Sequence, residues 1–545
     1  MKRFIYSFIL FITSLSLTNA QRRQPIDPND ENAINFNKLF MAFSYINNLY
    51  VDEMKGAKIV EDAIKGILEN LDPHSIYTNS EETRKMNEQL EANFDGIGIQ
   101  FNMLNDTLYI IQVISGGPSE KVGLLAGDKI IRVDSSLIAG VNMVSSDIMK
   151  LIRGKKGTEV GIQVKRLSSE NLLDFRIIRD RIPVYSIDAA YMADPQTGYI
   201  RLSRFSATSL EEFQQSLSEL RQQGMQNLIL DLQENGGGYL HIAYALADQF
   251  FDAGKLIVYS QGNRFPRSDA ISTERGIFKE GKLVILVNES SASASEIVAG
   301  AIQDWDRGVI VGRRSFGKGL VQRSIDLPDS SMIRLTIARY YTPSGRNIQS
   351  PYENGNAKSY RDDFLIRFDN EEHLNADNIH FTDSLKFSTL ASNRTVYGGG
   401  GIMPDVFVPY DSMYVSNYHT RLIRYGLMSR MSMTYLDNNR KELNKQYPNF
   451  KLFKENFLIN EAILQELIAM AEEEKIAFEE EEFNKSKELI STQLKALIAR
   501  DMFEVSEYFE IINEKNHSYL KALQVISDDE QYAKILSGEL TFQQP

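Results

Sequence analysis

The chain of 545 residues is 43% hydrophobic and 24% charged, carries a formal net charge of −13 and contains no cysteine. Its length predicts several domains of about 100–200 residues each, and its composition is typical of a globular protein. The acidic balance argues against nucleic acid as a partner, and the lack of cysteine excludes thiol nucleophiles, disulfides and thiolate zinc sites. The six histidines show no HExxH spacing, so we expect neither a metal ion nor another cofactor.

The first twenty residues have the pattern of a secretory signal peptide. Lys2 and Arg3 precede a mostly apolar run that ends in small residues at Ala20, where a signal peptidase would cut. We therefore expect residues 1–20 to be removed and the protein to be periplasmic or secreted. An uncleaved membrane anchor is the alternative, although the apolar run is short for the roughly 20 residues that a span needs.

Residues 21–92 are predicted to form an N-terminal helical region. Apolar residues such as Ile59, Ala63 and Ile67 recur at helical spacing. Pro73, in the sequence LDPHS, is expected to end the helix, and a further polar helix follows it.

The middle of the chain is rich in strand-like runs. Residues 93–181 contain five short runs and two short helical stretches, which predicts a compact α/β module. In residues 182–411, runs such as NLILDL and KLVILVN alternate with helical stretches. Such alternation predicts βαβ units, in which a sheet lies between layers of helices.

Residues 412–545 show long amphipathic helical patterns with acidic runs such as AEEEKIAFEEEEF. A solvated helical face explains these runs, and a coiled-coil or partner-docking surface is the alternative. We therefore hypothesise that this region mediates formation of a homo-oligomer or the docking of an adaptor protein.

The segment KLVILVNESSASASEIVAGAIQD contains candidate nucleophiles. An apolar strand is predicted to end at Val287, and a helix to begin near Ser293 after a turn of small residues. At a helix N-terminus, unpaired N–H groups and the helix dipole stabilise negative charge that develops on an oxygen. The alternative is that the serines of this segment are only turn and N-cap residues.

Lys318 stands between Gly317 and Gly319, in a turn between two strand-like runs. Desolvation in such a turn lowers a lysine pKa from about 10.4 toward 7–8, where the amine can act as a general base for serine. A surface lysine in a hairpin is the alternative. The preceding GRRSFGK also matches most of a phosphate-binding loop, but Gly319 replaces the required Ser or Thr and a strand follows, which argues against nucleotide binding.

Three glycines, Gly236 to Gly238, lie between a predicted strand and a predicted helix in NLILDLQENGGGYL. Glycines at such a place let backbone N–H groups approach a ligand closely, so the loop is suited to form part of an oxyanion hole. A simple strand-to-helix turn is the alternative.

Taken together, these segments resemble the C-terminal processing peptidases, or tail-specific proteases, which are secreted serine proteases with a Ser/Lys dyad. The resemblance rests on SASASEIVAGAIQD, FGKGLVQ, DLQENGGG, YYTPSGRNIQ and GGGGIMPDV, and it extends from about Phe36 to Tyr410. It implies an α/β fold with a crotonase-like protease core (182–411), an inserted PDZ domain (93–181) and helical N- and C-terminal regions (21–92 and 412–545).

The same resemblance implies roles for individual side chains. Ser293 would be the nucleophile, Lys318 the general base, and Gln322 the residue that orients Lys318 by hydrogen bonding. Asp304 matches a position that supports the active site. Glu296 matches another family acid, and its role, catalytic or structural, stays open.

The oxyanion would be held by the N–H groups of Gly237 and Ala294. Gln233 and Gly236 stand where the family commonly has Arg and Pro. This difference puts the rigidity of the loop in question rather than the chemistry, because backbone groups hold the oxyanion.

The implied PDZ domain would hold the free carboxylate of a substrate in the loop of Gly96, Ile97, Gly98 and Ile99. We expect the substrates to be proteins or peptides with apolar C-termini, cleaved by acyl transfer through the serine. One alternative is a catalytically silent protein that binds such tails on the same fold. Another is a hydrolase of a different acyl compound.

Overall fold

The computed structural model describes residues 31–104, 106–167, 169–410 and 414–540, so the predicted signal peptide lies outside the described residues. The chain divides into two compact units, Met1–Leu71 and Asp72–Pro545. The first contains helices α1 (Glu31–Leu49) and α2 (Gly56–Glu69), as the helical spacing predicts. Within the described ranges, no helix is both long and apolar enough to cross a membrane.

The second unit opens with strand β1 (Ile76–Thr78) and helix α3 (Ser80–Leu90). Asn79 caps α3 by accepting from the N–H groups of Glu81 and Glu82, a capping pattern that starts a helix. The sequence predicts only helices here. The strand forms because it pairs with residues 332–334, a contact that no local pattern reveals.

Residues 93–183 form the predicted α/β module. Its elements are β2 (Asn93–Gly96), β3 (Ile99–Leu104), β4 (Thr107–Val113), α4 (Pro118–Lys121), β5 (Lys129–Val133), β6 (Ser136–Leu137), α5 (Ser145–Ile152), β7 (Glu159–Lys165), β8 (Leu173–Ile178) and β9 (Asp180–Pro183). Its antiparallel sheet has the order β3-β4-β5-β7-β8, so β3 lies at an edge. Strands β2 and β9 pair with each other where the chain enters and leaves the module.

Residues 184–410 form the central part of the unit. Its elements are β10 (Ile187–Met192), β11 (Thr197–Leu202), α6 (Ser209–Gln222), β12 (Asn227–Asp231), α7 (Leu240–Ala247), β13 (Leu256–Gln261), β14 (Ser268–Ile271), β15 (Leu283–Val287), α8 (Ala294–Asp304), β16 (Val309–Gly312), β17 (Leu320–Asp326), β18 (Met332–Tyr341), α9 (Ala357–Asp369), β19 (Lys386–Ser388), β20 (Thr395–Tyr397) and β21 (Val406–Phe407). The main sheet, β10-β11-β12-β15-β16-β21, is parallel except for β10. A second, antiparallel sheet has the order β1-β18-β13-β14, with β17 also paired to β18.

The described part of the C-terminal region is helical, as predicted. Its helices are α10 (Asn417–Arg424), α11 (Leu427–Gln446), α12 (Phe450–Asn456), α13 (Glu461–Glu473), α14 (Glu480–Met502), α15 (Val505–Ile512), α16 (His517–Ser527) and α17 (Asp529–Ser537).

Helices cover both faces of the main sheet. On one face, Leu228 and Leu230 pack with apolar residues of α6, α7 and α8. On the other face, Ile229 and Val284 pack with Tyr519, Val525 and other residues of α16 and α17. A parallel sheet requires cover on both faces, so the second helical layer of the core comes from the C-terminal region.

Candidate active site

The turn between β15 and α8 separates Ser293 from the neighbouring serines. The hydroxyls of Ser291 and Ser295 are buried and donate to the carbonyls of Leu232 and Asn235, both at 2.8 Å. Ser293 is partly exposed and has φ 56° and ψ −107°, a backbone conformation that is strained for a residue with a side chain. Such strain at the start of a helix is typical of a functional position, which favours Ser293 among the candidates.

Lys318 lies in the turn between β16 and β17, and glycine makes this turn feasible. Gly317 has φ +93°, and a Cβ atom there would lie 2.2 Å from Oγ of Ser350, so only glycine fits. The pKa of Lys318 is lowered to about 8, first by burial and then by the positive charge of Arg334. The carboxylates of Glu296 and Asp72 act in the opposite direction. Among the described residues, the Nζ atom forms no ion pair or hydrogen bond, so the amine is left for another partner.

Glu296 joins the Ser293 turn to the Lys318 turn. Its fully buried carboxylate accepts from the N–H of Ser293 at 2.8 Å, of Gly317 at 2.7 Å and of Lys318 at 2.9 Å, and from the hydroxyl of Ser315 at 2.6 Å. Burial raises the pKa of Glu296, and these four donors lower it in part. The sequence leaves open whether Glu296 is catalytic or structural, and these contacts favour a positioning role.

Tyr340 forms a second link between the same two turns. Its buried hydroxyl lies within hydrogen-bond distance of the carbonyl oxygens of Ser293 and Lys318. The sequence gives no sign of a role for Tyr340, although this residue begins the motif YYTPSGRNIQ, whose first two residues end β18. The two turns therefore share a carboxylate and a phenol.

The glycine loop lies directly against Ser293. Gly237 has φ +104°, and a Cβ atom there would lie 3.0 Å from Cβ of Ser293 and 3.1 Å from the backbone nitrogen of Ala294. The structure thus brings together the two predicted oxyanion residues. The N–H of Gly237 donates at 2.9 Å to Oδ1 of Asn235, a buried residue for which the sequence predicts no role.

The departures from the family pattern are accommodated by local contacts. The main chain of Gln233 accepts from Arg201 at 3.1 Å, and its N–H donates to Asp231 at 2.8 Å. A Cβ atom on Gly236 would meet no atom within 4 Å. The loop is therefore anchored at Gln233. At Gly236 there is room for a side chain, and none fills it.

Gln322 lies on β17, and its side-chain amide nitrogen donates to the carbonyl oxygen of His74. This bond fixes the orientation of the amide, so that its Oε1 atom points away from the carbonyl oxygen of His74. The predicted bond from Gln322 to Lys318 is not among those that the described residues form. His74 follows Asp72, whose Oδ1 atom accepts from the N–H of His74 at 2.9 Å.

His74 and Arg334 are two further charged or titratable neighbours of Lys318. Burial and then Lys318 lower the pKa of His74 to about 4, so its ring is neutral. Its ring packs edge-on against Tyr360, with the centroids 4.9 Å apart. Arg334, on β18, faces Lys318 as a like charge. The sequence gives no signal for Arg334, and the motif LDPHS predicts only a helix end at Pro73.

Asp304 lies at the other end of α8, about 17 Å from Ser293 at 1.5 Å per residue. Its carboxylate accepts from the buried guanidinium of Arg346 and, at 2.8 Å, from the N–H of Ser344. Asp304 thus holds the loop after β18 and does not contact Ser293.

The loop Gly96–Ile99 joins β2 to the edge strand β3. The carbonyl oxygens of Ile97 and Gly98 accept from Ser119 and Ile114, and Gly98 has φ +75°. In the described chain, β3 pairs only with β4, so its outer edge is open to an added strand. Within the described ranges, no cluster of metal-ligating side chains is found.

Comparison with protein families finds four matches along the chain. Residues 196–353 match peptidase family S41 and residues 96–177 match the PDZ domain. Residues 5–83 match the N-terminal domain of the activating protease CtpB, and residues 418–504 match a family of unknown function.

The chain also matches individual proteins along part of its length. The chain is 35% identical over 312 residues to a carboxy-terminal-processing protease of Bartonella bacilliformis, a match that covers 56% of this chain and 71% of that protein. It is 34% identical over 314 residues to the carboxy-terminal processing protease CtpA of Bacillus subtilis, covering 57% of this chain and 66% of that protein. The match thus spans about two thirds of the length of these relatives. A solved structure of a photosystem II D1 C-terminal processing protease matches with 28% identity and a TM-score of 0.32, over 57% of this chain and 89% of that one.

Proposed function

This chain belongs to the carboxy-terminal-processing proteases, which are serine-type peptidases, and we propose that it cleaves polypeptides with Ser293 as the nucleophile and Lys318 as the general base. The observation that carries this assignment is the shared anchoring of the two residues. Glu296 accepts from the N–H groups of both, and the hydroxyl of Tyr340 lies within hydrogen-bond distance of the carbonyl oxygens of both. Such anchoring supports the fixed spacing that a nucleophile and its base require.

The environment of Lys318 supports its role as a base. With a pKa of about 8, a useful fraction of the amine is neutral near pH 7. At lower pH the amine is protonated and cannot act as a base. We therefore expect kcat/KM to rise as the pH increases through about 8.

The proposed reaction is acyl transfer. Neutral Lys318 takes the hydroxyl proton of Ser293 while the serine oxygen attacks the peptide carbonyl carbon. The lysine ammonium then gives this proton to the leaving amine, the peptide bond breaks, and an ester to Ser293 remains. Water, losing a proton to Lys318, attacks the ester, and that proton returns to the serine oxygen as the acid leaves.

The negative charge that develops on the carbonyl oxygen needs N–H donors. Ala294, at the start of α8, and the glycine loop beside it are the proposed donors. The N–H of Gly237 joins them by exchanging Oδ1 of Asn235 for the substrate oxygen. Gln322 is proposed to accept from the amine of Lys318 through Oε1, since its amide nitrogen is held by His74.

Residues Gly96–Ile99 and the edge of β3 are proposed to bind the free carboxylate and the last residues of an apolar tail. We also propose that the substrates are proteins or peptides with apolar C-termini and that the protein is periplasmic or secreted. The C-terminal helices are proposed to dock an adaptor protein or a second copy of the chain. All three proposals are based on the sequence. The match to a PDZ domain supports the tail-binding part.

The test is cleavage of an unfolded polypeptide with a free apolar C-terminus, read by mass spectrometry. Residues 21–545 should cut this substrate faster than an otherwise identical amidated copy, because amidation removes the carboxylate. The Ser293→Ala variant should cut neither. Binding of the tail without cleavage by the parent would instead favour the silent receptor.

Replacing Arg334 with Met should shift the pH dependence. Removing a positive charge near Lys318 raises the pKa of that lysine, so the acidic limb of the kcat/KM profile should move to higher pH. Activity at pH 7 should fall by about threefold to tenfold and recover at higher pH. The control is Arg323→Met, which removes an exposed arginine of β17. An unchanged profile for Arg334→Met would show that Arg334 does not tune the lysine.

The glycine loop gives a second prediction. Gly237→Ala should lower kcat/KM by about 100-fold or more, because the new Cβ atom would displace Ser293 or the loop. Gly236→Ala is the matched control, since a Cβ atom there meets open space, and it should keep most of the activity. Equal rates for the two variants would contradict the close approach of Gly237 to Ser293.

A further inference from the structure

The helices of residues 418–504, which match a family of unknown function, contact the PDZ domain through α11. Nζ of Lys129 on β5 lies 2.8 Å from Oδ2 of Asp437 on α11. Nδ2 of Asn102, on the edge strand β3, lies 3.6 Å from Sδ of Met433. The contact therefore includes the strand whose open edge is proposed to receive the substrate tail.

These helices have an extensive hydrophobic core of their own. Buried apolar residues from α10 to α15 form one cluster, among them Tyr418, Leu436, Leu467, Leu494 and Ile511. The chain then continues into α16, which packs on the main sheet. At this end, the 418–504 module is linked to the catalytic core through α15, whose Ile511 belongs to the module's cluster and whose Phe509 packs against the apolar layer on the main sheet.

The end that touches the PDZ domain is small and mixes apolar side chains, such as Ile110 and Leu436, with charged ones. A gap of about 20 Å³ remains between Tyr109 and the side chains of α11, and Nε of Arg440 is buried there without a hydrogen bond in the described chain. Arg440 lies against Gly127, where a Cβ atom would approach Nε to 3.3 Å. Contacts between domains of one chain permit relative motion unless they are large and apolar, so in this small contact the ion pair of Lys129 and Asp437 contributes to the fixed orientation.

The PDZ domain is joined to the rest of this unit at two other places. Strands β2 and β9 pair where the chain enters and leaves the domain. Arg153 also forms an ion pair at 2.6 Å with Glu88 of α3. Without α11, the described contacts that remain are the two-stranded stem, the packing of α3 beside β2 and this ion pair, which lie together at one end of the domain.

We propose that the 418–504 module is a brace that holds the PDZ domain in one orientation to the catalytic core, with Lys129 and Asp437 as its latch. A tail bound at the edge of β3 is then presented to Ser293 along a defined path. This effect on cleavage rests on the proposed function, whereas the bracing itself does not.

The bracing is tested by the distance between two spin labels. Because the chain contains no cysteine, Leu167→Cys in the PDZ domain and Lys441→Cys on α11, both exposed, give two unique labelling sites. We expect one narrow distance distribution for the parent. Lys129→Glu or Asp437→Lys should broaden it, and the exchange of both charges in one chain should narrow it again.

The matched control is Lys156→Glu, which breaks an ion pair with Asp180 within the PDZ region and should leave the distribution narrow. Asp437→Asn provides a milder change should a charge reversal perturb folding. A distribution that stays narrow in every latch variant would overturn the brace, whatever the activity.

Cleavage provides the second arm of the experiment. The preference for a free tail over an amidated tail should fall severalfold in either single reversal and return in the charge exchange, with Lys156→Glu unchanged. If the labels respond but no variant and no parent cleaves, the brace stands and the proposed function fails. If the labels respond and the tail preference does not, the link between bracing and tail presentation is wrong.

Discussion

Lys318→Met is expected to lower peptide cleavage by a factor of about 10³ or more, because Lys318 is the general base of the proposed reaction. The loss should persist at every pH, in contrast to the shifted profile of Arg334→Met. The measurement is kcat/KM across the pH range from about 6 to 10, which brackets the pKa of Lys318. Lys279→Met, at a lysine that pairs with Glu274, is the control and should retain full activity.

The same variant should make the protein more stable. Burial lowers the pKa of Lys318 from 10.5 to about 8. At any pH where this lysine is protonated in the unfolded chain, its burial therefore reduces the free energy of unfolding. That cost is present in full below about pH 8 and disappears as the pH rises toward 10.5. The free energy of unfolding at pH 7 should therefore increase by about 1–3 kcal/mol in Lys318→Met.

Denaturant unfolding at pH 7 and pH 10 measures this gain, which should be smaller at the higher pH. A variant that loses both activity and stability would mean that Lys318 has a structural role. Lost activity with gained stability would support its role as a base.

Glu296→Gln is expected to have the second large effect, on both folding and activity. The carboxylate accepts four hydrogen bonds, two on each oxygen. A glutamine amide accepts on one side only, and its NH₂ group would face two donors on the other. Leaving buried donors unpaired should lower the free energy of unfolding by about 2–5 kcal/mol, and the separated turns should lose most of the cleavage.

Glu289→Gln is the matched control. Glu289 lies on the same turn before α8 but pairs with Arg313 at 2.7 Å and is more exposed. Its replacement should cost much less stability, since solvent can satisfy the partner. Equal unfolding midpoints for the two variants would show that Glu296 does not link the turns.

The sequence predicts those parts of this protein that depend on local pattern. The strands and helices of residues 93–181, and the alternation of β11, β12, β15 and β16 with α6, α7 and α8, follow from hydrophobic periodicity. The comparisons confirm the protease core and the PDZ domain. The assignments of Ser293, Lys318 and Gln322 stay predictions, supported by motif and geometry.

What the sequence does not reveal comes from distant segments. His74 reaches the neighbourhood of Lys318 because β1 pairs with β18, more than 250 residues further along the chain. Arg334 lies on an ordinary strand pattern, and its charge matters only because Lys318 is near. Asn235 stands within the glycine motif, yet its bond to Gly237 depends on the turn that the backbone adopts.

The cover of the main sheet by α16 and α17 bears on the order in which this protein is assembled. Chains are synthesised from the N-terminus, and domains tend to fold as they emerge. Strands β10 to β16 leave the ribosome about 200 residues before α16 and α17, so one apolar face of the sheet lacks its partner while those residues are synthesised. We therefore expect the core that positions Ser293 and Lys318 to be completed only once α16 and α17 have docked on the sheet.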